Sequence, residues 1–213
     1  MEFRLTYEGL LLATQKDPVD GQADARAEHK RHIRRQFHLQ LKRFWDINPY
    51  LKHGNPVTFD WKSRTVPKSG ITHGTGIAEF LAPLYRRNGY ECVPLVREEL
   101  SLICSLDILF LRPDRPGSVL QSGDIDNRLK TLFDALRLPK EEAQELVGYD
   151  NAADDEKPFY CLLEDDSLIT HVSVETDILL QPTGKKFDVN DTRLVIAVSL
   201  RPYNFSPANE GFG

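Results

Sequence analysis

The stretch GDIDNRLKTLFDAL, residues 123 to 136, contains charged residues at a spacing suited to chemistry. Asp124 and Asp126 are one residue apart, and Lys130 follows Asp126 by four residues. An apolar pattern of helical spacing begins here, so both carboxylates are expected near the start of a helix. Two like charges held this close repel each other unless a cation lies between them. The pair therefore indicates a cation site, with Lys130 on the same flank of the helix.

A second acidic stretch, LEDDSLI at residues 163 to 169, precedes a predicted strand. If this segment pairs beside the strand at residues 101 to 112, Asp165 and Asp166 should meet the first acidic pair. Carboxylates from a loop, a helix start and a strand edge form the oxygen environment that Mg²⁺ or Mn²⁺ prefers. Such ions activate water and stabilise developing charge on a phosphodiester, and a nearby lysine adds to this stabilisation. Lys130 is the candidate for that role.

The same spacing also has a purely structural interpretation. Asp126, Lys130 and Asp134 recur every four residues, which is the spacing of ion pairs along one side of a helix. Each such surface pair contributes only about 0.3 kcal/mol to helix stability. Taken alone, the first stretch does not separate a surface ion-pair series from a metal site.

Hydrophobic periodicity predicts the elements that must position these residues. The predicted strands and helices cover residues 2–12, 24–45 (with Asp24 as N-cap), 77–89, 90–97, 101–112, 124–136, 172–180 and 194–200. The run at 101–112 is almost continuously apolar, which is typical of a central strand. The last two strands alternate apolar and polar residues across a turn-rich link, which predicts a hairpin. We expect an α+β fold with a single mixed β-sheet, helices packed on one of its faces and the cation site at the strand ends.

The length of 213 residues fits one domain. We expect residues 1–205 to form it, with inserts near 48–75 and 139–158, and residues 206–213 to be a flexible tail. The second insert is strongly acidic, with seven Asp or Glu residues against two lysines. Such an insert would repel DNA from a nearby site unless it folds away or moves.

Composition argues against several classes of protein. No apolar run approaches the roughly 18 residues that a membrane span requires, and the first residues lack the continuous apolar core of a signal peptide. We therefore expect a cytoplasmic protein with no membrane contact. Cys92, Cys104 and Cys161 have neither CxxC nor Cys/His spacing, so neither a disulfide framework nor a zinc site is indicated.

The distribution of charge permits a polyanionic partner on one face. A formal net charge of −5 is unfavourable for contact with nucleic acid over the whole surface. Residues 26–43, however, contain seven basic residues and one glutamate, a local charge of +6. This basic face is expected either to be solvated or to contact phosphates.

The two acidic stretches together resemble the RusA family of Holliday-junction resolvases. DIDNRLKTLFDAL followed by LEDD contains an Asp-x-Asp-Asn, a lysine four residues after the second Asp, a Phe-Asp-Ala-Leu continuation and a downstream Asp-Asp. The resemblance covers roughly residues 101–136 and 161–180, with a looser match in the first strand and helix. The predicted order of elements also agrees with a RusA-like fold.

The resemblance implies a Mg²⁺-dependent or Mn²⁺-dependent endonuclease that cuts branched DNA by metal-assisted hydrolysis. By resemblance the protein is expected to be a homodimer, because paired cuts need two active sites. The implied metal ligands are Asp124, Asp126, Asp165 and Asp166, and the implied catalytic residues are Asp124, Asp126, Lys130 and Asp166. Asn127 and Asp134 match in supporting positions. The expected nucleic-acid contacts are Lys30, Arg31, Arg34, Arg35, Arg112, Arg115 and Arg128.

Three features differ from the family pattern. The chain is longer, the loop before Asp124 has only Arg112 and Arg115 where members often have an arginine-rich loop, and residues 139–158 stretch the link to the Asp-Asp pair. These differences bear on junction preference more than on metal chemistry. Two alternatives stay open: a nucleic-acid-binding module of the same fold with weak or no catalysis, and a metal-dependent nuclease acting on RNA or a flap.

Overall fold

The structure is a computed structural model. It describes residues 1–13, 22–57, 60, 62–63, 65, 76–87, 89–113, 124–140 and 153–213, without the side chains of residues 22–25 and of Asp124. Within these ranges the elements are β1 (Glu2–Leu10), α1 (Gln22–Ile47), α2 (Pro49–His53), α3 (Ile77–Leu81), β2 (Arg86–Arg87), β3 (Tyr90–Val96), β4 (Leu102–Arg112), α4 (Asp124–Leu136), β5 (Phe159–Leu163), β6 (Ile169–Ile178) and β7 (Asp191–Pro202). The mixture of strands and helices confirms the α+β class.

The described strands form two sheets, not the single sheet expected from the sequence. One sheet has the order β1-β7-β4-β6 and the other the order β2-β3-β5. The chain passes from β3 to β4 through a 3-10 turn at Glu98–Leu100, and Ser101 follows it with a φ of 49°. This left-handed residue turns the chain sharply, so β4 begins a new sheet instead of extending the first.

β4 lies between two partners, as its apolar sequence predicts. It pairs antiparallel with β7 and parallel with β6, and its alternate side chains are buried. The predicted hairpin between the last two strands is wrong, because β4 separates β6 from β7. A long apolar strand such as β4 buries most surface when both of its edges are paired. β6 therefore pairs with β4 and lies at the edge of the sheet, where most of its side chains are exposed.

The helix α1 supplies one wall of the main core. Ile33, Phe37 and Leu41 are fully buried and belong to one cluster with Leu106 and Ile108 of β4. The helix begins at Gln22, two residues before the predicted N-cap, and extends to Ile47. Periodicity therefore predicted its apolar face correctly.

Two local predictions fail because of tertiary contacts. The helix predicted for residues 77–89 is only α3, since the chain turns after Leu81 and enters β2. Residues 206–213 are packed instead of forming a flexible tail. Asn209 is buried and donates a hydrogen bond of 2.7 Å to the carbonyl of Leu100, while Phe212 joins the main core.

The described residues include no membrane-spanning helix and no disulfide. No helix in the described ranges combines the length and apolar character needed to cross a bilayer. The three cysteines are free thiols, and all of them are buried. Burial raises the pKa of the Cys104 thiol to about 12, so this thiol is protonated at neutral pH.

His38 fastens α1 to β5. Its Nδ1 accepts a hydrogen bond of 2.9 Å from the backbone N–H of Tyr160, and its Nε2 donates one of 2.9 Å to the carbonyl of Asp155. The ring also stacks on Phe159, with the ring centres 4.5 Å apart. This arrangement needs a neutral imidazole with its proton on Nε2. Burial accordingly lowers the pKa of His38 below its ordinary value.

We expect the free energy of unfolding to decrease as the pH falls below the ordinary histidine pKa of 6.5. Below this pH His38 binds a proton in the unfolded chain but stays neutral in the folded protein. The free energy of unfolding therefore decreases by up to about 1.4 kcal/mol per pH unit. His29 adds to the same trend, because burial lowers its pKa too. Urea unfolding between pH 5 and pH 8 measures the slope. A His38→Gln variant should show a flatter profile.

Replacing the exposed His171 by Gln is the matched control and should keep the wild-type slope. An unchanged slope in the His38→Gln variant would exclude His38 as a source of the pH dependence.

Candidate functional site

The helix α4 displays Asp126 and Lys130 to solvent. Its other face is apolar, with Ile125, Leu132 and Leu136 buried. Asp126 and Lys130 are both exposed and, being four residues apart, lie on the same flank. Among the described side chains, no ion pair joins Lys130 to Asp126 or to Asp134. The surface ion-pair series that this spacing also allowed is therefore not formed.

Asp134 takes part in a different network, which joins α4 to α1. Its carboxylate accepts hydrogen bonds of 2.7 Å from Lys30 Nζ and 2.7 Å from Arg137 Nη2. Its backbone carbonyl accepts a further bond of 2.5 Å from Arg34 Nη2. Burial by itself would raise the pKa of Asp134, but the hydrogen bonds and charges of Lys30 and Arg137 outweigh burial and lower it. Asp134 thus has a structural role here.

The N-terminal half of α4 is fixed to the ends of two strands. Arg128 donates hydrogen bonds of 2.6 Å to the carbonyl of Leu11 and 3.0 Å to Oδ1 of Asn190. Thr131 donates one of 2.9 Å to the carbonyl of Leu12. Leu11 and Leu12 follow β1, and Asn190 precedes β7. These bonds place the start of α4, and hence Asp126, at that end of the four-stranded sheet.

Asp165 and Asp166 occupy the short connection in which the chain passes from β5 to β6. Asp165 caps a 3-10 turn by accepting a hydrogen bond of 3.0 Å from the N–H of Ser167. Hydrogen bonds from Ser167 are the main cause that lowers the pKa of Asp165, with a further contribution from Arg137. Oδ1 of Asp166 is 3.9 Å from Nε of Arg137. Both acids therefore lie near the C-terminal end of α4.

Asp126 and Asp166 consequently lie at opposite ends of α4. From residue 126 to residue 137 the helix axis advances about 16 Å, at roughly 1.5 Å per residue. One Mg²⁺, with bonds of roughly 2.1 Å, does not span this separation. The expected meeting of the two acidic stretches does not occur within one chain.

Parallel pairing explains this separation. Parallel strands start at the same edge of a sheet, and Cys104 near the start of β4 is opposite Ile169 at the start of β6. Asp165 and Asp166 precede β6, whereas Asp124 lies beyond the end of β4. The described side chains contain no group of three or more His, Cys, Asp or Glu that could hold a metal. The side chain of Asp124 is outside the described set, so its predicted role stays a prediction.

Three of the expected phosphate contacts are interior residues. Arg34, Arg112 and Arg128 are only 1%, 3% and 4% exposed. Their charges lie within the protein, which corrects their assignment to a nucleic-acid surface. Arg115 lies outside the described residues.

The other expected contacts belong to α1. Lys30 is largely buried against Asp134, whereas Nε of Arg35 is 2.7 Å from the buried carboxylate of Glu156, and half of the Arg35 side chain is exposed. Arg31 is half-buried. Lys30 and Arg35 of the basic face therefore bind acidic groups of the same chain, and Arg35 has the larger exposed part.

The sequence pattern between β6 and β7 predicts only a turn, and no site residue was expected there. We call residues 179–190 the β6–β7 loop. Lys185, Lys186 and Phe187 are consecutive in it, and all three are exposed. An aromatic residue next to two lysines in a turn-rich segment was the available signal.

No family model matches this chain, and no curated protein or solved structure is significantly similar to it. The resemblance to the RusA family therefore depends on the motif residues alone.

An Asp134→Asn variant tests the α1–α4 network. Losing the charge leaves Lys30 and Arg137 without their carboxylate, and we expect the free energy of unfolding at pH 7 to decrease by about 2 kcal/mol. Because the pKa of Asp134 is lowered, its contribution is present above the ordinary value of 3.8 and is lost as the pH falls below it. Chemical denaturation from pH 7 to pH 3 measures the difference between variant and wild type.

The exposed Asp107 of β4 supplies the control, since Asp107→Asn should leave stability within about 0.5 kcal/mol of wild type. A difference between Asp134→Asn and wild type that persists undiminished at pH 3 would contradict the electrostatic interpretation.

Proposed function

We propose that this protein is a Mg²⁺-dependent endonuclease that cuts branched DNA, as RusA-family resolvases do. The observation that carries the proposal is the DIDNRLK sequence with LEDD downstream. The exposure of Asp126 and Lys130 on one flank of α4 supports it, because the ion pairs that would otherwise explain their spacing are absent among the described side chains. Exposed charges of opposite sign that do not pair with each other are available to a ligand.

The carboxylates of the acidic residues are suitable ligands for a hard divalent cation. Within one chain, however, these residues do not lie close enough together to bind the same ion. Mg²⁺ prefers carboxylate oxygens, and Asp126, Asp165 and Asp166 provide these. The two groups of acids lie at opposite ends of α4. We infer that a complete site needs a second copy of the chain, whose Asp166 approaches the first turn of α4. A homodimer would meet this requirement.

Each group would have a separate task in phosphodiester hydrolysis. Bound Mg²⁺ would lower the pKa of a water molecule and offset charge on the phosphate. Lys130, one turn after Asp126, would place a positive charge beside the same phosphate. The fixed start of α4, held by Arg128 to Leu11 and Asn190, would keep Asp126 and Lys130 in place.

A binding module without catalysis is the second candidate. The separation of the acids within one chain favours it, because a binding module does not need them to share a metal ion. The two candidates differ in their response to metal. A rise in melting temperature with added Mg²⁺ that disappears in an Asp126→Asn variant favours the nuclease.

Cleavage of synthetic four-way DNA junctions with Mg²⁺ or Mn²⁺ tests the nuclease directly. We expect an Asp124→Asn variant to lose roughly 100-fold or more of the cleavage rate while remaining folded, because the side chain keeps its size and loses only its charge. Gel analysis of labelled strands measures the rate. Asp46→Asn, at an exposed position of α1, is the matched control and should cut normally.

Full activity of Asp124→Asn would remove that residue from the mechanism. No cleavage by wild type with any divalent metal, on junctions, flaps or RNA, would overturn the nuclease proposal.

Mixing two inactive variants tests the shared site. Asp126→Asn and Asp166→Asn chains should each be inactive, but in mixed dimers one site keeps both intact aspartates. Random pairing of equal amounts would restore about one quarter of the sites. Nicking of a labelled junction by co-refolded chains measures the recovery. If mass analysis shows mixed dimers and no nicking recovers, the second copy does not complete the site.

A further inference from the structure

The β6–β7 loop (residues 179–190) displays apolar side chains next to two lysines. Phe187 is 53% exposed, and Leu180 and Val189 are also well exposed. Lys185 and Lys186 precede Phe187 directly and are exposed as well. Three large apolar side chains on one short loop are more than the scattered single residues that ordinary surfaces show.

Hydrogen bonds at the base of the loop hold this arrangement. The buried carboxylate of Asp191 accepts bonds from the hydroxyl of Thr183 and, at 2.9 Å, from the N–H of Asp188. The side chain of Asp188 accepts one of 2.7 Å from the N–H of Asn190. Both sides of the loop are therefore tied together below its tip. Phe187 lies between Thr183 and Asp188, the two residues bonded to Asp191, and its side chain remains exposed to solvent.

The loop lies at the end of the sheet where α4 begins. The N–H of Leu179 donates a bond of 2.8 Å to the carbonyl of Arg112, the last residue of β4. On the other side of the loop, Oδ1 of Asn190 accepts a hydrogen bond of 3.0 Å from Arg128. Arg128 follows Asp126 by two residues in α4. The loop thus borders the end of α4 that displays Asp126 and Lys130, and not the end near Asp166.

The side chains fit a nucleic acid whose bases are partly unstacked. Lysine ammonium groups bind phosphates without regard to sequence, and an aromatic ring stacks on the face of a base that is not already stacked. A continuous duplex hides these faces, whereas a branch point exposes them. Apolar side chains inserted at such steps also stabilise distorted DNA.

A second copy of this chain is the other occupant that an exposed apolar patch allows. A two-fold interface centred on this loop would bring Lys185 and Lys186 of both copies together. The buried centres of protein interfaces are depleted in charged residues, and lysine is among those disfavoured. Charge therefore favours a polyanion over a second copy at this surface.

We propose that the β6–β7 loop binds branched DNA, with Phe187 stacked on a base whose face is exposed at the branch point and with Lys185 and Lys186 on flanking phosphates. The choice of DNA rests on the proposed function. The contact itself requires neither metal binding nor cleavage, so it is testable without either.

Binding to a labelled four-way junction and to a duplex of the same sequence, measured by fluorescence anisotropy in EDTA, separates binding from cleavage. Phe187→Ala should weaken junction binding by roughly 10-fold and duplex binding much less, as expected for the loss of one stacked base. Phe187→Trp should retain junction affinity. A Lys185→Ala, Lys186→Ala double variant should weaken binding to both DNAs and reduce the dependence of affinity on salt.

Phe205→Ala is the matched control, since Phe205 is 72% exposed outside the loop. It should bind like wild type. Unchanged junction binding by Phe187→Ala, or no DNA binding by wild type, would overturn the inference. A shift from dimer to monomer in Phe187→Ala with unchanged DNA affinity would instead assign the loop to a subunit interface.

The outcomes separate this inference from the nuclease proposal. Binding that depends on Phe187, with no cleavage under any metal, supports the loop contact and overturns the nuclease. If the wild-type protein cleaves junctions and Phe187→Ala binds them with wild-type affinity, the nuclease proposal is supported and the loop contact is overturned.

Discussion

The parallel register between β4 and β6 decides where the acidic residues of this protein lie. Parallel strands begin at the same edge of a sheet, so the acids that precede β6 are carried to the start of β4. The residues that follow β4 leave from the opposite edge, where α4 begins. The RusA resemblance implies that the two acidic motifs bind the same metal ion. In one chain, however, they are separated by the length of α4. A metal site built from both would have to cross a boundary between chains.

The contact between α1 and α4 explains why local charge is a poor guide to partners here. The basic run of α1 suggests a surface for phosphates, yet Arg34 and Lys30 bind Asp134, and Arg35 lies against Glu156. The buried guanidinium of Arg34 needs acceptors inside the protein, and the backbone carbonyl of Asp134 in α4 provides one, whereas the half-exposed Arg35 pairs with Glu156. These charges stabilise the packing of two helices. The exposed lysines of the β6–β7 loop are fewer, but they are accessible to solvent.

The elements with strong periodicity were predictable, and their partners were not. The apolar face of α1, the central position of β4 and the helix after Asp124 all follow from patterns within single segments. The hairpin and the flexible tail were wrong because each depends on a distant segment: β4 separates β6 from β7, and Leu100 binds Asn209. The single sheet was wrong because the left-handed backbone of Ser101 turns the chain between β3 and β4, and these two strands pair in different sheets. A periodic pattern predicts which face of a helix or strand is buried. It does not predict which other element packs against that face.

The sequence by itself determined the α+β class, the apolar faces of the main helices and strands, and the residue types that could act on a phosphodiester. Tertiary structure alone decided which of those residues lie together. It placed Asp126 and Lys130 on one exposed flank, moved Asp165 and Asp166 to the other end of the helix, and buried three arginines. The physical reason is that periodicity is a local property of the chain, whereas strand register and helix docking are set by contacts between residues far apart in sequence.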